Sequence, residues 1–151
     1  MPRQPFTVTV EVAVNRPVAQ VFAFVSDLRH DPQWWAGVRS AERLRGDGGV
    51  GTLYELDTSL LGVRDRIHLE VVAQQPPLHQ TVVVRRGRLP YTARYEWAEL
   101  APGRTRFRLV AEVVAARPWS WFGPLFSPLL SAVARRHFRR LPAAVEAATT
   151  G

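Results

Sequence analysis

The sequence contains no cysteine, no lysine and a single methionine. Without cysteine there is no disulfide framework and no thiolate chemistry. Its apolar runs all stop short of the roughly 18 residues that a membrane-spanning helix needs. The opening stretch MPRQPFTVTVEV lacks the apolar centre of a secretory signal, so the expected location is the cytoplasm. Catalytic signatures are also missing, with neither a G-x-S-x-G nor an H-E-x-x-H pattern. The four histidines, His30, His68, His79 and His137, do not fall at metal-ligand spacing, and neither a metal nor another cofactor is expected.

The charge is one-sided in kind. Net charge is +7, and all 20 basic residues are arginine. A basic protein can bind nucleic acid or other anions. Here the arginines are spread over many strands and turns and no recognition motif accompanies them. Coding bias is the simpler account, and no nucleic-acid partner is expected. One glycine pattern, Gly46, Gly48 and Gly51, fits G-x-G-x-x-G. A dinucleotide fingerprint needs a helix directly after it, whose N-terminus meets the pyrophosphate. Residues 52–60 alternate with period two instead, so the glycines read as a hairpin turn.

What is present is a globular chain. Its 151 residues, 46% of them hydrophobic, suit one domain spanning 1–151 with an ordered core over about 6–148. Residues 6–14 alternate apolar and polar as a half-buried strand. Asn15 can cap a helix beginning after it, and Pro17 suits a first helical turn. Val18, Val21, Phe22, Val25 and Leu28 recur at helical spacing. This helix should stop near His30-Asp31-Pro32, because the residue before a proline is pushed out of the helical region. Residues 33–37 read as a second short helical piece.

Six more strands come next, at 38–45, 52–60, 63–74, 79–86, 91–100 and 105–116, separated by glycine and proline turns. Inward positions read Thr52, Tyr54, Leu56, Thr58 and Leu60 on one strand, and Val63, Asp65, Ile67, Leu69 and Val71 on the next. The last two strands turn Tyr91, Ala93, Tyr95 and Trp97, then Phe107, Leu109, Ala111 and Val113, to the same side. Asp65 is the odd member of these sets, a carboxylate among apolar neighbours.

The chain closes with a long amphipathic stretch over 119–148. At about 100° per residue, Phe126, Leu130, Val133, His137, Leu141 and Ala144 share one face. Arg135, Arg136, Arg139 and Arg140 take the other. Pro142 should kink this helix one turn past His137. The expected fold class is therefore α+β, in the order β-α-α-β6-α. A curved, seven-stranded antiparallel sheet wraps around the long C-terminal helix, with an apolar cavity between them.

The segment VAVNRPVAQVFAFVSDLRHDPQWW after the first strand, and the closing helix after RFRLVAEVVAARPW, resemble the START-like superfamily of helix-grip proteins. Within it the chain looks most like the polyketide cyclase/dehydrase and lipid-transport group. The resemblance implies a deep apolar cavity between sheet and long helix. It also implies a lipid, hormone or polyketide ligand, with cyclase or dehydratase chemistry in some members. The Asp31-Pro32-x-Trp34 turn belongs to the resemblance and reads as structural.

Candidate site residues come from the inward faces. The ligand-binding set is Tyr54, Leu56, Ile67, Leu69, Tyr91, Tyr95, Trp97, Phe107, Leu109, Leu130, Val133 and His137, apolar walls with a few polar handles. His137 is also a catalytic candidate, since an imidazole titrates near neutrality and can move a proton. Asp65 is its candidate acidic partner. The aromatic segment 119–126, with Trp119 and Trp121, is expected to act as a pocket lid, a peripheral membrane contact or core. Two functions emerge. One is binding of a bulky hydrophobic small molecule, with cyclase/dehydratase-type acid–base chemistry on it. The other is a non-catalytic lipid carrier that docks on membranes through 119–126. Either would work as a monomer or a homodimer.

Overall fold

A computed structural model describes residues 6–35, 37–60, 62–88, 90–113, 132, 135, 136 and 138–149. The described elements run β1 (Phe6–Val14), α1 (Val18–Val25), a single turn of 3-10 helix (Leu28–His30), α2 (Asp31–Trp34), then six strands. These are β2 (Val38–Arg45), β3 (Leu53–Leu60), β4 (Val63–Gln75), β5 (His79–Arg86), β6 (Tyr91–Ala101) and β7 (Arg104–Val113). A C-terminal helix, α3 (Leu141–Thr149), completes the order.

The strands form one antiparallel sheet in the order β1-β7-β6-β5-β4-β3-β2. Consecutive hairpins carry the chain from β2 to β7, and β7 then pairs with β1. Register puts Val10 opposite Leu109 and Val12 opposite Phe107. Across the next pair Leu109 lies opposite Tyr95, and Phe107 opposite Trp97. Because side chains alternate along a strand, this register gathers the apolar residues of all these strands on one face. Irregularities in β2, β4 and β6 add twist and bend, as bulges do, and the sheet curves around that face.

The helices lie against it. α1 packs on β6, β7 and α3, while α3 packs on α1, β1 and α2. The resulting core holds Val10, Val14, Val21, Leu28, Tyr54, Val71, Val82, Phe107, Phe138 and Leu141, among others. Buried polar side chains tie the layers together. Gln80 of β5 donates to the Ser26 carbonyl at the end of α1 (3.0 Å) and accepts from Gln74 of β4 (2.6 Å). Arg16, between β1 and α1, donates to Thr149 Oγ1 (2.7 Å) and to the Glu146 carbonyl (3.2 Å) at the far end of α3. Carbonyls in a last helical turn lack a partner within the helix backbone.

Several local expectations need correction. Asn15 does not cap α1; Pro17 takes the cap position, with no side-chain bond, and its carbonyl accepts from Gln20 and Val21. The second helical piece begins at Asp31, two residues early, because Pro32 is tolerated in a first turn where its missing N–H is not needed. Val63 is 52% exposed, since it stands at the hairpin tip beyond the cover of the helices. The kink expected at Pro142 takes the form of an interruption: residues 132, 135, 136 and 138 are helical, Arg139 and Arg140 form a turn, and α3 runs from Leu141, the proline having no N–H to give to the Phe138 carbonyl.

The glycine loop is a turn, as expected, and its first glycine is obligatory. Gly46 has φ +92°, and a Cβ there would meet Thr52 at 2.6 Å. Thr52 in turn accepts from the Gly48 N–H at 2.8 Å.

Two measurements probe this packing. Phe107→Ala should lower unfolding free energy by about 3–5 kcal/mol, as expected for a fully buried aromatic, read from urea denaturation. Gln80→Leu should cost about 1–3 kcal/mol, because the Ser26 carbonyl loses its donor in a buried setting. A loss below about 0.5 kcal/mol would mean that the glutamine is not a tie between helix and sheet.

Candidate functional site

The link between α1 and α2 is fastened on its wet side. Asp27 accepts from the Arg29 N–H (3.1 Å) and pairs with the Arg29 guanidinium (2.6 Å). His30 donates from Nδ1 to the Phe24 carbonyl (2.7 Å) and stacks on the Phe24 ring with centroids 4.4 Å apart. With those groups held outward, the next turn points in. Asp31 is only 6% exposed, and Trp34 is buried beside it. Their three-residue spacing places both on one face of α2.

The facing sheet is aromatic. Tyr54 of β3, Tyr95 and Trp97 of β6 and Phe107 of β7 are buried, and Tyr91 is half-buried. The rings form a continuous layer. Phe22 meets Trp97 at 4.8 Å, Trp97 meets Phe107 at 5.4 Å, Phe107 meets Phe138 at 5.8 Å, and Phe138 meets Trp34 at 4.9 Å. Most contacts are edge-on or tilted, the arrangements aromatic quadrupoles favour.

Among the described residues, four buried polar atoms have no hydrogen-bond partner: Asp31 Oδ1, Trp34 Nε1, Tyr54 Oη and Trp97 Nε1. Native interiors rarely leave such atoms unpaired, and each costs about 1–3 kcal/mol. Electrostatics links Asp31 with the tyrosines of this layer. Burial, and then the nearby Asp27 carboxylate, push the Asp31 carboxyl well above its ordinary range. Burial and then Asp27 raise Tyr54 to about 12. Tyr91 and Tyr95 are raised first by burial and then by the field of Asp31. Asp27 itself is lowered: burial opposes, and the bonds from Arg29 prevail. A buried carboxyl on α2, its ionised form disfavoured by burial, thus faces the same interior as three phenols.

Of the candidates read from sequence, Tyr54, Leu56, Ile67, Leu69, Tyr95, Trp97, Phe107 and Leu109 all join this one buried cluster, with Tyr91 packed against it. His137, Leu130, Val133 and the segment 119–126 lie outside the described residues. Asp65 is not brought to the aromatic layer. It sits at the end of β4, where Oδ1 accepts from the Arg66 N–H (3.0 Å) and Oδ2 from the Arg88 N–H (2.8 Å), anchoring the β5–β6 turn. There it borders a cleft of about 520 Å³ lined by Glu55, Arg66, His68, Arg86 and Arg88. His68 Nε2 lies 2.9 Å from Glu55 Oε2. Glu55 and His68 alternate with the buried Leu56, Ile67 and Leu69, so this charged cleft belongs to the outer face of the sheet. No group of acidic or histidine side chains among the described residues could hold a metal.

Sequence reasoning missed Phe138, which is 1% exposed. Its spacing to Leu141 and Val145, three and then four residues, is a helical signal that the preceding arginines obscured. Asp31 reads from the sequence as a turn residue. Nothing in its local pattern distinguishes a buried acid from a capping one.

A curved antiparallel sheet crossed by helices, with an apolar, aromatic concave face, defines the START-like, helix-grip class, a hydrophobic ligand-binding fold. The chain belongs to the polyketide cyclase / dehydrase and lipid transport family, whose model matches residues 5–146. No curated protein matches it. Solved structures share the fold at low identity. TTHA0849 from Thermus thermophilus superposes with a TM-score of 0.77 at 20% identity, over 95% of this chain and 99% of that one. A START superfamily protein from Mycobacterium smegmatis gives 0.73 at 19%, over 96% and 97%. The Zhui aromatase/cyclase from Streptomyces sp. R1128 gives 0.73 at 15%, over 94% and 92%.

The raised Asp31 carboxyl has a signed consequence for stability. Above its ordinary value of 3.8 the unfolded chain releases this proton while the fold retains it, so the residue costs stability progressively as pH rises. Asp31→Asn should melt close to wild type near pH 4 and above it near pH 8. Melting curves that stay parallel across that range would show that Asp31 is ionised in the fold.

Proposed function

We propose that this protein binds a bulky, mostly hydrophobic small molecule, lipid- or polyketide-like, between the concave face of the sheet and the C-terminal helical segment. The observation that carries this reading is the set of four buried, unpartnered polar atoms inside an aromatic layer. An ordinary core avoids them, whereas a ligand site is apolar with a few polar groups that fix orientation. The family description, cyclase or dehydrase and lipid transport, agrees with such a ligand. The arrangement favours an interior site over the outer cleft, whose charged lining cannot shelter an apolar molecule from water.

Cyclase or dehydratase chemistry on the bound molecule would consist mainly of holding it in a reactive shape, with one or two proton-transfer groups. Of the two groups proposed from sequence, His137 is kept; Asp65, bonded to the Arg66 and Arg88 N–H groups, stands outside the aromatic layer. Asp31 joins His137 as an acid buried inside that layer. No helix among the described residues is long and apolar enough to cross a membrane, and a cytoplasmic setting completes the proposal.

Native mass spectrometry of the purified protein, followed by solvent extraction, tests the binding. A lipid or aromatic polyketide at near one-to-one stoichiometry is expected. Failure to retain or take up any hydrophobic ligand, with tryptophan emission unmoved across a panel, would rule the reading out. His137→Leu should alter turnover or ligand selectivity, and unchanged values would remove His137 from the site.

A further inference from the structure

We propose that the cleft on the outer face of the sheet binds the phosphate group of a small ester, held by Arg86 and Arg88. The cleft lies on the opposite side of the sheet from the aromatic layer and does not depend on what that layer binds. Strand register builds it. Pairing of β3, β4 and β5 sets Glu55, His68 and Arg86 abreast. Between Leu69 and His68 the register slips: Val84 and Arg86 face consecutive residues of β4, and Arg85 is the extra one. Strict alternation would turn Arg86 inward with Val82 and Val84. The bulge re-aims it, and it lines the cleft beside His68. Gly87 comes next, where a Cβ would meet Ile67 Cγ2 at 2.8 Å. The chain therefore runs close to β4, the Arg88 N–H reaches Asp65 Oδ2 at 2.8 Å, and Arg88 joins the same lining.

The acids of this cleft are already engaged. Each Asp65 oxygen accepts a backbone N–H. Glu55 is shared by His68 at 2.9 Å and Arg66 at 3.8 Å. Arg85, next to them, is taken by Glu70. The ion pairs among the described residues leave Arg86 and Arg88 without a carboxylate. Each guanidinium is a rigid fork of N–H donors with no acceptor. Two such forks side by side match an anion with two charges and several oxygens. A phosphate monoester carries a charge of about −1.5 to −2 and three strong acceptor oxygens. A carboxylate balances only one of the two cations. The cleft, about 520 Å³, falls within the roughly 300–1,000 Å³ of small-molecule sites, so it has room for the rest of an ester beside the phosphate.

Isothermal titration calorimetry tests the site with glycerol 3-phosphate, acetate and glycerol, at low ionic strength, where exposed charges are least screened. Wild type should bind glycerol 3-phosphate in preference to the other two. The double variant Arg86→Gln/Arg88→Gln keeps the Arg88 N–H on Asp65 and should bind it about tenfold or more weakly, the factor one charged hydrogen bond supports. Arg94→Gln/Arg104→Gln removes two exposed charges elsewhere and should leave the affinity unchanged. Equal weakening in both variants would show diffuse attraction to a basic protein and overturn the inference. Acetate bound as tightly as the phosphate would overturn it as well. Co-sedimentation with phosphatidylcholine vesicles, with and without phosphatidic acid, separates the sources of the phosphate. Retention that needs phosphatidic acid and is lost in Arg86→Gln/Arg88→Gln assigns it to a lipid headgroup. Glycerol 3-phosphate bound without vesicle retention assigns it to a soluble ester. If neither is bound, the outer site falls and the interior reading is untouched.

Discussion

The first two strands of this protein stand at opposite edges of its sheet. Whatever joins them must cross the sheet, and it crosses the apolar face, because only there does it bury its own apolar side. That constraint accounts for most of the architecture. It makes the β1–β2 connection two short helices instead of a hairpin. It also turns α1 toward β6 and β7 and brings Asp31 and Trp34 in over the aromatic strands.

A crossing of this kind covers the face unevenly. Where α1 and α3 lie, the packing is ordinary, with valine, leucine and phenylalanine in contact. From α2 to the Phe22 end of α1 the interior is aromatic and carries polar atoms that pair with nothing in the described chain. Buried polar atoms without a partner cost stability, so the packing of this face is not uniform.

Much of the fold was legible in the chain itself. The six later strands lie within a few residues of their alternating segments, because each has one dry and one wet face and a slip of one residue would exchange them. The inward tyrosines and Trp97 were legible for the same reason. Helix ends were less so. Asn15 carries a plausible local role that the fold does not use: Pro17 takes the cap position and Arg16 reaches α3. Asp31 was the least readable residue. Whether a carboxyl after a short turn ends in water or under a sheet is decided by the crossing of the chain, a long-range fact with no local signature. Asp65 shows the converse, an acid on the inward strand pattern that the strand end delivers to a turn.

The pairing of β1 with β7 also sets a timetable for synthesis. The two partners are separated by about a hundred residues, since Val10 pairs with Leu109 and Val14 with Thr105. At a translation rate of about 5–20 residues per second, β1 leaves the ribosome several seconds before the strand that will sheathe its edge exists. For that interval an apolar, alternating strand has open hydrogen-bonding groups, the kind of surface that recruits the wrong neighbour. The order of synthesis thus leaves the first strand as the last to gain its neighbour, and closing the sheet waits on the end of the meander.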